Sequence, residues 1–392
     1  MKKSTNRILT THAGRLSGSP ELMEVTRAIQ SGRSSDYEGA IPLIRKSMAD
    51  VIKHQVDLGI DIVSDGELGK IGFGLSYYSR RLTGLNSRPV RPGEAPTMSA
   101  GTAERQEFAE FYEDLTRQMG VVAAAMTGRN RVIVDGPIKY IGQDEVKRDI
   151  ELFKTSLAQS GVTPEEAFMC VLAPGWLEHF FYNEYYKSDE EYLFALAEAI
   201  GEEYKAVVDA GFILQLDDPG LPDTFDMIVP NPTIEEYRKF EQIRIDAQNH
   251  ALRGIPEDRV RYHICWGSWH GPHTHDLPLK YVVDLMLQVK AEAYSVEAAN
   301  PRHEHEWKVW RDVKLPEGKI LIPGVVSHAS NVVEHPELVA DRIIQYAELV
   351  GKENVIAGTD CGMGNRVHPQ IGWAKLKALS EGAELATKQL WG

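Results

Sequence analysis

Residues 189–218 read D-E-E-Y-L-F-A-L-A-E-A-I-G-E-E-Y-K-A-V-V-D-A-G-F-I-L-Q-L-D-D. Apolar residues recur at helical spacing through Asp189–Ala210, a glycine follows, and Phe212–Leu216 is an apolar run with Gln215 as its one polar member. An amphipathic helix leading into a largely apolar strand is the unit of a parallel sheet buried on both faces. The run ends on two acids, Asp217–Asp218, which places polar groups just past a strand C-terminus.

The same unit recurs along the chain. Strand-like runs are Ile8–Thr11, Ile60–Ser64, Arg131–Asp135, Phe168–Leu172, Phe212–Leu216, Val260–Cys265, Tyr294–Glu297, Ile320–Val325 and Val355–Gly358. Helical periodicity marks Pro42–Leu58, Asp189–Ala210, Ile234–Leu252, Leu279–Ala291 and Pro336–Val350. Repeated β-then-α units predict a (β/α)8 TIM barrel with insertions. Nine strand candidates are one too many, and the sequence does not say which lies outside the barrel. The whole chain, 1–392, reads as one catalytic barrel domain. Leu82–Arg105, rich in Gly, Pro, Ser and Arg, opens an excursion that runs to about residue 130, and residues 267–278 (G-S-W-H-G-P-H-T-H-D-L-P) form a loop on the rim.

Bulk properties narrow the function. Lys plus Arg number 43 against 57 Asp plus Glu, a net charge of −14; such a surface repels phosphate backbones and anionic membranes. No apolar run approaches the ~18 residues that span a bilayer. Residues 1–7 are polar and lack a signal-peptide pattern. Three cysteines cannot form a disulfide framework, so the expectation is a reduced, cytoplasmic protein. Oligomeric state is not legible, and a homo-oligomer is compatible with the pattern.

Polar groups gather just past strand ends: Thr11–His12, Asp65–Glu67, Asp217–Asp218, His263–Cys265, Glu297, His328 and Asp360–Cys361. Barrel enzymes build their active sites on that rim. His263 and Cys265, at i and i+2 on one strand, point to the same face. With Glu297 and Cys361 from later strands they form a tetrahedral donor set suited to Zn²⁺, and thiolates select against Mg²⁺ and Ca²⁺. Spacing alone leaves a second reading open, in which these cysteines are small buried hydrophobes and His263 a core histidine. Cys170, inside F-M-C-V-L, reads as core.

The motifs T-T-H-A-G, S-D-G-E, L-Q-L-D-D-P, H-I-C-W-G, S-V-E-A-A-N-P-R-H, I-P-G-V-V-S-H and A-G-T-D-C-G run the length of the chain. With them the sequence resembles the C-terminal catalytic barrel of cobalamin-independent methionine synthase and its single-barrel relatives, a fold akin to the uroporphyrinogen decarboxylase barrel. The resemblance implies a catalytic Zn²⁺ on His263, Cys265, Glu297 and Cys361. It implies methyl or alkyl transfer to a homocysteine-like thiol from 5-methyltetrahydrofolate or a corrinoid protein, in methionine biosynthesis. It assigns Glu67 and Asp217 to the acceptor's amino group, and His328, after a one-residue gap, to proton transfer at the leaving nitrogen. Two departures stand out. Arg15 occupies the place of the family's substrate-binding serine, where a guanidinium could fork onto a carboxylate, sulfonate or phosphate. The full synthase also carries a second, N-terminal barrel, for which this chain has no room. Two other chemistries are therefore weighed: opening of an epoxide by a zinc-bound thiol, as in epoxyalkane:coenzyme M transferase, with Arg15 on a sulfonate, and a metal-free, uroporphyrinogen decarboxylase-like lyase. The histidines of the rim loop and of Arg302–Glu306 read as solvated or supporting residues rather than a second metal site, and Trp266, Trp269 and Trp307 as rim or core aromatics.

Overall fold

The computed structural model describes residues 1–31, 33–71, 75–95, 98–119, 130–267 and 269–392. Eight parallel strands follow one another around a barrel: β1 Leu9–Thr10, β2 Ile62–Ser64, β3 Glu166–Leu172, β4 Ile213–Asp217, β5 Val260–His263, β6 Ala293–Glu297, β7 Ile320–Val326 and β8 Ile356–Thr359. Neighbours in space are neighbours in sequence from β2 round to β8, and β8 pairs with β1. At the remaining seam, side chains supplement a backbone bond from Asp61 N to Thr10 O at 3.1 Å. Thr10 N donates to Asp61 Oδ2 at 2.9 Å and Thr11 Oγ1 donates to Ile62 O at 3.0 Å. The result is the expected (β/α)8 barrel, nearly closed.

The strands are mostly apolar because both faces are covered, with buried polar side chains such as Gln215, Arg261 and Ser295 turned into the barrel. Val260, Tyr262, Leu214, Leu216, Tyr294 and Val296 are buried beneath the outer helices, while Ile62, Phe168, Cys170, Ile213, Ile320 and Ile356 fill a separate inner cluster. Helices Tyr37–Asp57, Asp189–Asp209, Ile234–Ala251 and Pro336–Val350 match the sequence expectation to within a few residues at their ends. Their starts are explicit: Ser188 caps one by accepting from Glu191 N, and Thr233 with Glu236 forms a capping box on another.

Two expectations are corrected. The surplus strand is the third candidate: Asn130–Val134 pairs antiparallel with Leu85–Pro89 and parallel with Tyr182–Asn183, in a three-stranded sheet outside the barrel. Its outer half is exposed or half-buried, unlike a barrel strand. Leu279–Ala291 is not one helix but a 3₁₀ turn, Leu279–Tyr281, then a single α-turn, Val283–Met286. The β-branched Val282 leaves helical geometry at φ −130°. Leu279, Val282, Val283, Leu285, Met286 and Val289 are buried while Lys280, Asp284, Gln288 and Lys290 are exposed, so the segment keeps an apolar and a polar side although it packs as short turns.

Of the excursion at 82–130, residues 96–97 and 120–129 lie outside the described residues, as does Ser268 of the rim loop. What is described of the excursion is tied to the barrel's outer layer by a buried cation. Arg81 pairs with Asp149 at 2.6 Å and with Glu203 at 2.9 Å, on two different helices. Among the described residues no helix is long and apolar enough to cross a membrane.

Candidate active site

The polar rim forms because strand register brings separated sequence positions level. Asp217 lies opposite His263 in the β4–β5 ladder and His263 opposite Ser295 in β5–β6. Glu297 lies opposite Gly324 in β6–β7. Gly324 is required where it stands, since a Cβ there would lie 2.4 Å from the backbone nitrogen of Asp360. That close approach seats the turn carrying Cys361.

His263, Cys265 and Cys361 converge, with one donor atom from each within 4.8 Å of the others and the two sulfurs 3.8 Å apart. His263 Nδ1 lies 3.2 Å from Ser295 Oγ, and among the described residues the buried Nε2 has no hydrogen-bond partner. The two thiols share a proton unequally: the contact with Cys265 pushes Cys361 well below the usual thiol range, and Cys265 is pushed up in turn. An orphaned imidazole nitrogen beside a thiolate and a second thiol is a donor set that fits a borderline-soft divalent cation.

Glu297, expected beside these three, is placed in an adjoining group. Its Oε1 accepts from Trp266 N at 3.0 Å and its Oε2 from Asn300 Nδ2 at 3.1 Å. Its carboxylate clusters with His328 and Asp360, again within 4.8 Å. Asp360 was noted in sequence only as a rim residue. Its Oδ1 accepts from Ala298 N and Ala299 N, and burial together with Glu297 holds its carboxyl well above the usual range. His328 is buried with Nδ1 unpartnered among the described residues, and burial lowers its pKa below the ordinary imidazole value. The structure thus brings three of the four expected ligands together and sets the fourth next to the expected proton carrier.

A third group, Glu67, Cys170 and Asp217, also lies within 4.8 Å. Glu67 adopts φ +56° at the end of S-D-G-E, and among the described residues its buried Oε2 has no hydrogen-bond partner. Gln215 holds Asp217 by donating to Oδ1 at 2.6 Å, and burial raises that carboxyl to about 7. The adjacent Asp218 instead accepts from Tyr262 at 2.6 Å, which separates a lumenal acid from a packing one. Gly14, at φ +122°, closes this group: a Cβ would lie 2.7 Å from Cys170 Sγ and 2.9 Å from Glu67 Oε1. Cys170 is in the core as expected, yet its sulfur faces these acids. Sequence reading missed Lys70, buried three residues past Glu67, whose Nζ donates to the Cys170 carbonyl. Its only sequence signal was a lysine in a turn already marked by two acids. Arg15 lines a cavity of ≈ 70 Å³ together with Ser17, Glu67, Lys70 and Asn365. His12, a rim candidate, is structural: Nε2 pairs with Gln55 Oε1 at 2.8 Å.

Above the site the rim loop is held by charge. His303 bridges Asp276 (2.8 Å) and Glu306 (3.0 Å), His273 pairs with the same Asp276 at 2.9 Å, and Trp266 stacks on His303 at 3.8 Å. Burial opposes both imidazolium ions, but these carboxylates outweigh it and raise each histidine to about 9. An unfolded histidine titrates near 6.5. The stabilisation is therefore fully present below about pH 6.5 and is lost as pH rises through about 9. Amide exchange in residues 269–278 is expected to accelerate between pH 8 and 10 beyond its intrinsic base catalysis, and His303→Gln is expected to remove that step. An unchanged profile in the variant would show that the loop is held otherwise.

A family model described as the cobalamin-independent synthase catalytic domain matches residues 97–385. The chain is 22% identical over 356 residues to a methionine synthase of Thermococcus kodakarensis, covering 88% of this chain and 84% of that one. It is 24% identical over 372 residues to a methionine synthase of Saccharolobus islandicus, covering 94% and 92%. Its fold is similar to that of a B12-independent methionine synthase from Shewanella sp. W3-18-1 solved with selenomethionine: TM-score 0.70 at 20% identity, over 98% of this chain and 99% of that one.

Proposed function

The chain belongs to the cobalamin-independent synthase family, matched through its catalytic domain, and from that premise we propose that it transfers a methyl group to the sulfur of a homocysteine-like thiol with the aid of one Zn²⁺. The observation that carries this reading is the convergence of His263, Cys265 and Cys361, with the buried His263 Nε2 lacking a hydrogen-bond partner among the described residues. The relatives named methionine synthase supply the reaction class.

His263 Nε2 and the two sulfurs are the firm ligands, with Ser295 fixing the imidazole's orientation. Glu297 is the exchangeable fourth, because Trp266 N and Asn300 Nδ2 already offer its oxygens an alternative. Bound zinc supplies Lewis acidity, which makes a substrate thiol a thiolate at neutral pH. Glu67 and Asp217 receive the acceptor's ammonium: Glu67 is buried and Asp217 half-buried, and among the described residues Glu67 Oε2 has no hydrogen-bond partner. Lys70 offsets part of their combined negative charge. His328 protonates the leaving atom of the methyl donor, a folate nitrogen or its corrinoid equivalent. Neither the epoxide-opening nor the decarboxylase alternative finds a counterpart among the relatives named above.

The test is zinc content of the purified protein together with methionine formation from homocysteine. About one zinc per chain is expected. Glu297→Gln is expected to weaken zinc roughly tenfold and to retain the metal at micromolar concentrations. Purified protein that takes up no zinc would end this reading.

A further inference from the structure

Gln215 stands two residues before Asp217 on β4, so the two side chains share a face of the strand, and Gln215 is fully buried. Its neighbours fix the amide's orientation. Nε2 lies 3.0 Å from Ala13 O, 2.6 Å from Asp217 Oδ1 and 3.3 Å from Cys170 Sγ, and a backbone carbonyl can only accept. The nitrogen therefore belongs on that side. The amide oxygen, Oε1, is left buried with no hydrogen-bond partner among the described residues. Glu67 Oε2 is a second buried oxygen in the same condition. The two side chains end close together: a Cβ on Gly14 would lie 2.9 Å from Glu67 Oε1, 2.7 Å from Cys170 Sγ and 3.8 Å from Gln215 Nε2. Lys70 satisfies neither oxygen, because the hydrogen bond from its Nζ goes to the Cys170 carbonyl.

A buried acceptor without a donor is costly, the more so beside acids that compete for every donor present. An ammonium brings three donors and a positive charge, which matches one amide oxygen and two carboxyl groups around one point. The group borders space that a ligand can enter, since Glu67 and Lys70 line a cavity of ≈ 70 Å³. On its other side Asp217 lies opposite His263 in the β4–β5 ladder. Neighbouring strands run ~4.8 Å apart, so an amine held at Asp217 and a sulfur held beside His263 belong to one short molecule. We propose that Gln215 Oε1 accepts the third hydrogen bond from the ammonium of the thiol substrate, beside Glu67 and Asp217, and sets the preference for amino thiols over thiols that lack the amine. This rests on the thiol-activation reading above and adds to it a residue that determines the substrate.

The test uses the full-length protein with Co²⁺ in place of zinc, whose sulfur-to-metal absorption reports thiol binding without turnover. Titrations compare L-homocysteine with 4-mercaptobutanoate, which differs from it only in lacking the amine. The wild-type protein is expected to bind homocysteine roughly 10- to 100-fold more tightly. Gln215→Met, similar in shape but without the amide, is expected to lower that ratio roughly tenfold while cobalt content and 4-mercaptobutanoate affinity stay the same. Gln215→Leu is an independent loss variant should methionine disturb the lumen. Gln215→Glu, when protonated, keeps a donor for Asp217 and an oxygen for the ammonium, and is expected to retain most of the preference. Repeating Gln215→Met in an Asp217→Asn background separates direct contact from action through Asp217: direct contact lowers homocysteine affinity a second time. Absence of that second loss would overturn the proposal. So would loss variants that keep the wild-type ratio, or a wild type that binds the two thiols equally. If neither thiol perturbs the cobalt spectrum, the thiol-activation reading falls and this proposal with it.

Discussion

Replacing Cys361 with serine is expected to lower zinc affinity on the order of a hundredfold or more and to abolish methyl transfer at ordinary zinc concentrations. The reason is the geometry of its turn. Cys361 is the more acidic of two thiols whose sulfurs lie 3.8 Å apart, and its thiolate raises the pKa of His263 against the effect of burial. Serine keeps the shape of the turn but supplies a hydroxyl that stays protonated, so the site loses both a soft ligand and a negative charge. Metal content after dialysis against a chelator of known affinity measures the loss. A serine variant that holds zinc as tightly as the wild type would remove Cys361 from the ligand set.

His328→Gln is expected to do the opposite: zinc and thiol binding persist while turnover falls roughly 10²- to 10⁴-fold, the usual contribution of a positioned general acid. His328 Nδ1 is buried without a hydrogen-bond partner among the described residues, next to Glu297 and Asp360, and burial lowers the ring's pKa. The protonated fraction of such a ring grows as pH falls. The wild-type rate is therefore expected to carry a limb rising toward low pH that the glutamine variant lacks. Single-turnover methyl transfer across pH 5.5–8.5 separates this from a structural role, because a merely packed histidine would lower the rate without flattening the profile.

Most of the barrel was legible because its strands are buried on both faces and its helices on one, so hydrophobic pattern and element type coincide. The failures occur where that coincidence breaks. Arg131–Asp135 has a strand's composition, but its partner, Leu85–Pro89, lies in a segment whose Gly, Pro and Ser content reads as loop. Leu279–Ala291 has helical spacing, yet nearly every apolar residue in it is buried, and periodicity cannot say that Val282 leaves the helix. At the site, residue types and strand ends marked His263, Cys265, Cys361, Glu67 and Asp217. What they could not provide was partition: which acids face which group. Glu297 accepts from Trp266 N because of a backbone turn after the neighbouring strand, Asp360 is drawn in by the amides of Ala298 and Ala299, and Lys70 reaches the Cys170 carbonyl on the strand next to its own. Each of these depends on side-chain direction at a strand end, which spacing does not encode. The family resemblance supplied the ligand set that spacing left undecided.

X-ray absorption at the zinc K edge, on the zinc-loaded protein with and without homocysteine, tests the central claim most directly. The expected result is one zinc with two sulfur ligands, from Cys265 and Cys361, rising to three when the thiol is added while an oxygen ligand is lost. A zinc whose sulfur count does not change with thiol, or that shows no sulfur at all, would contradict it.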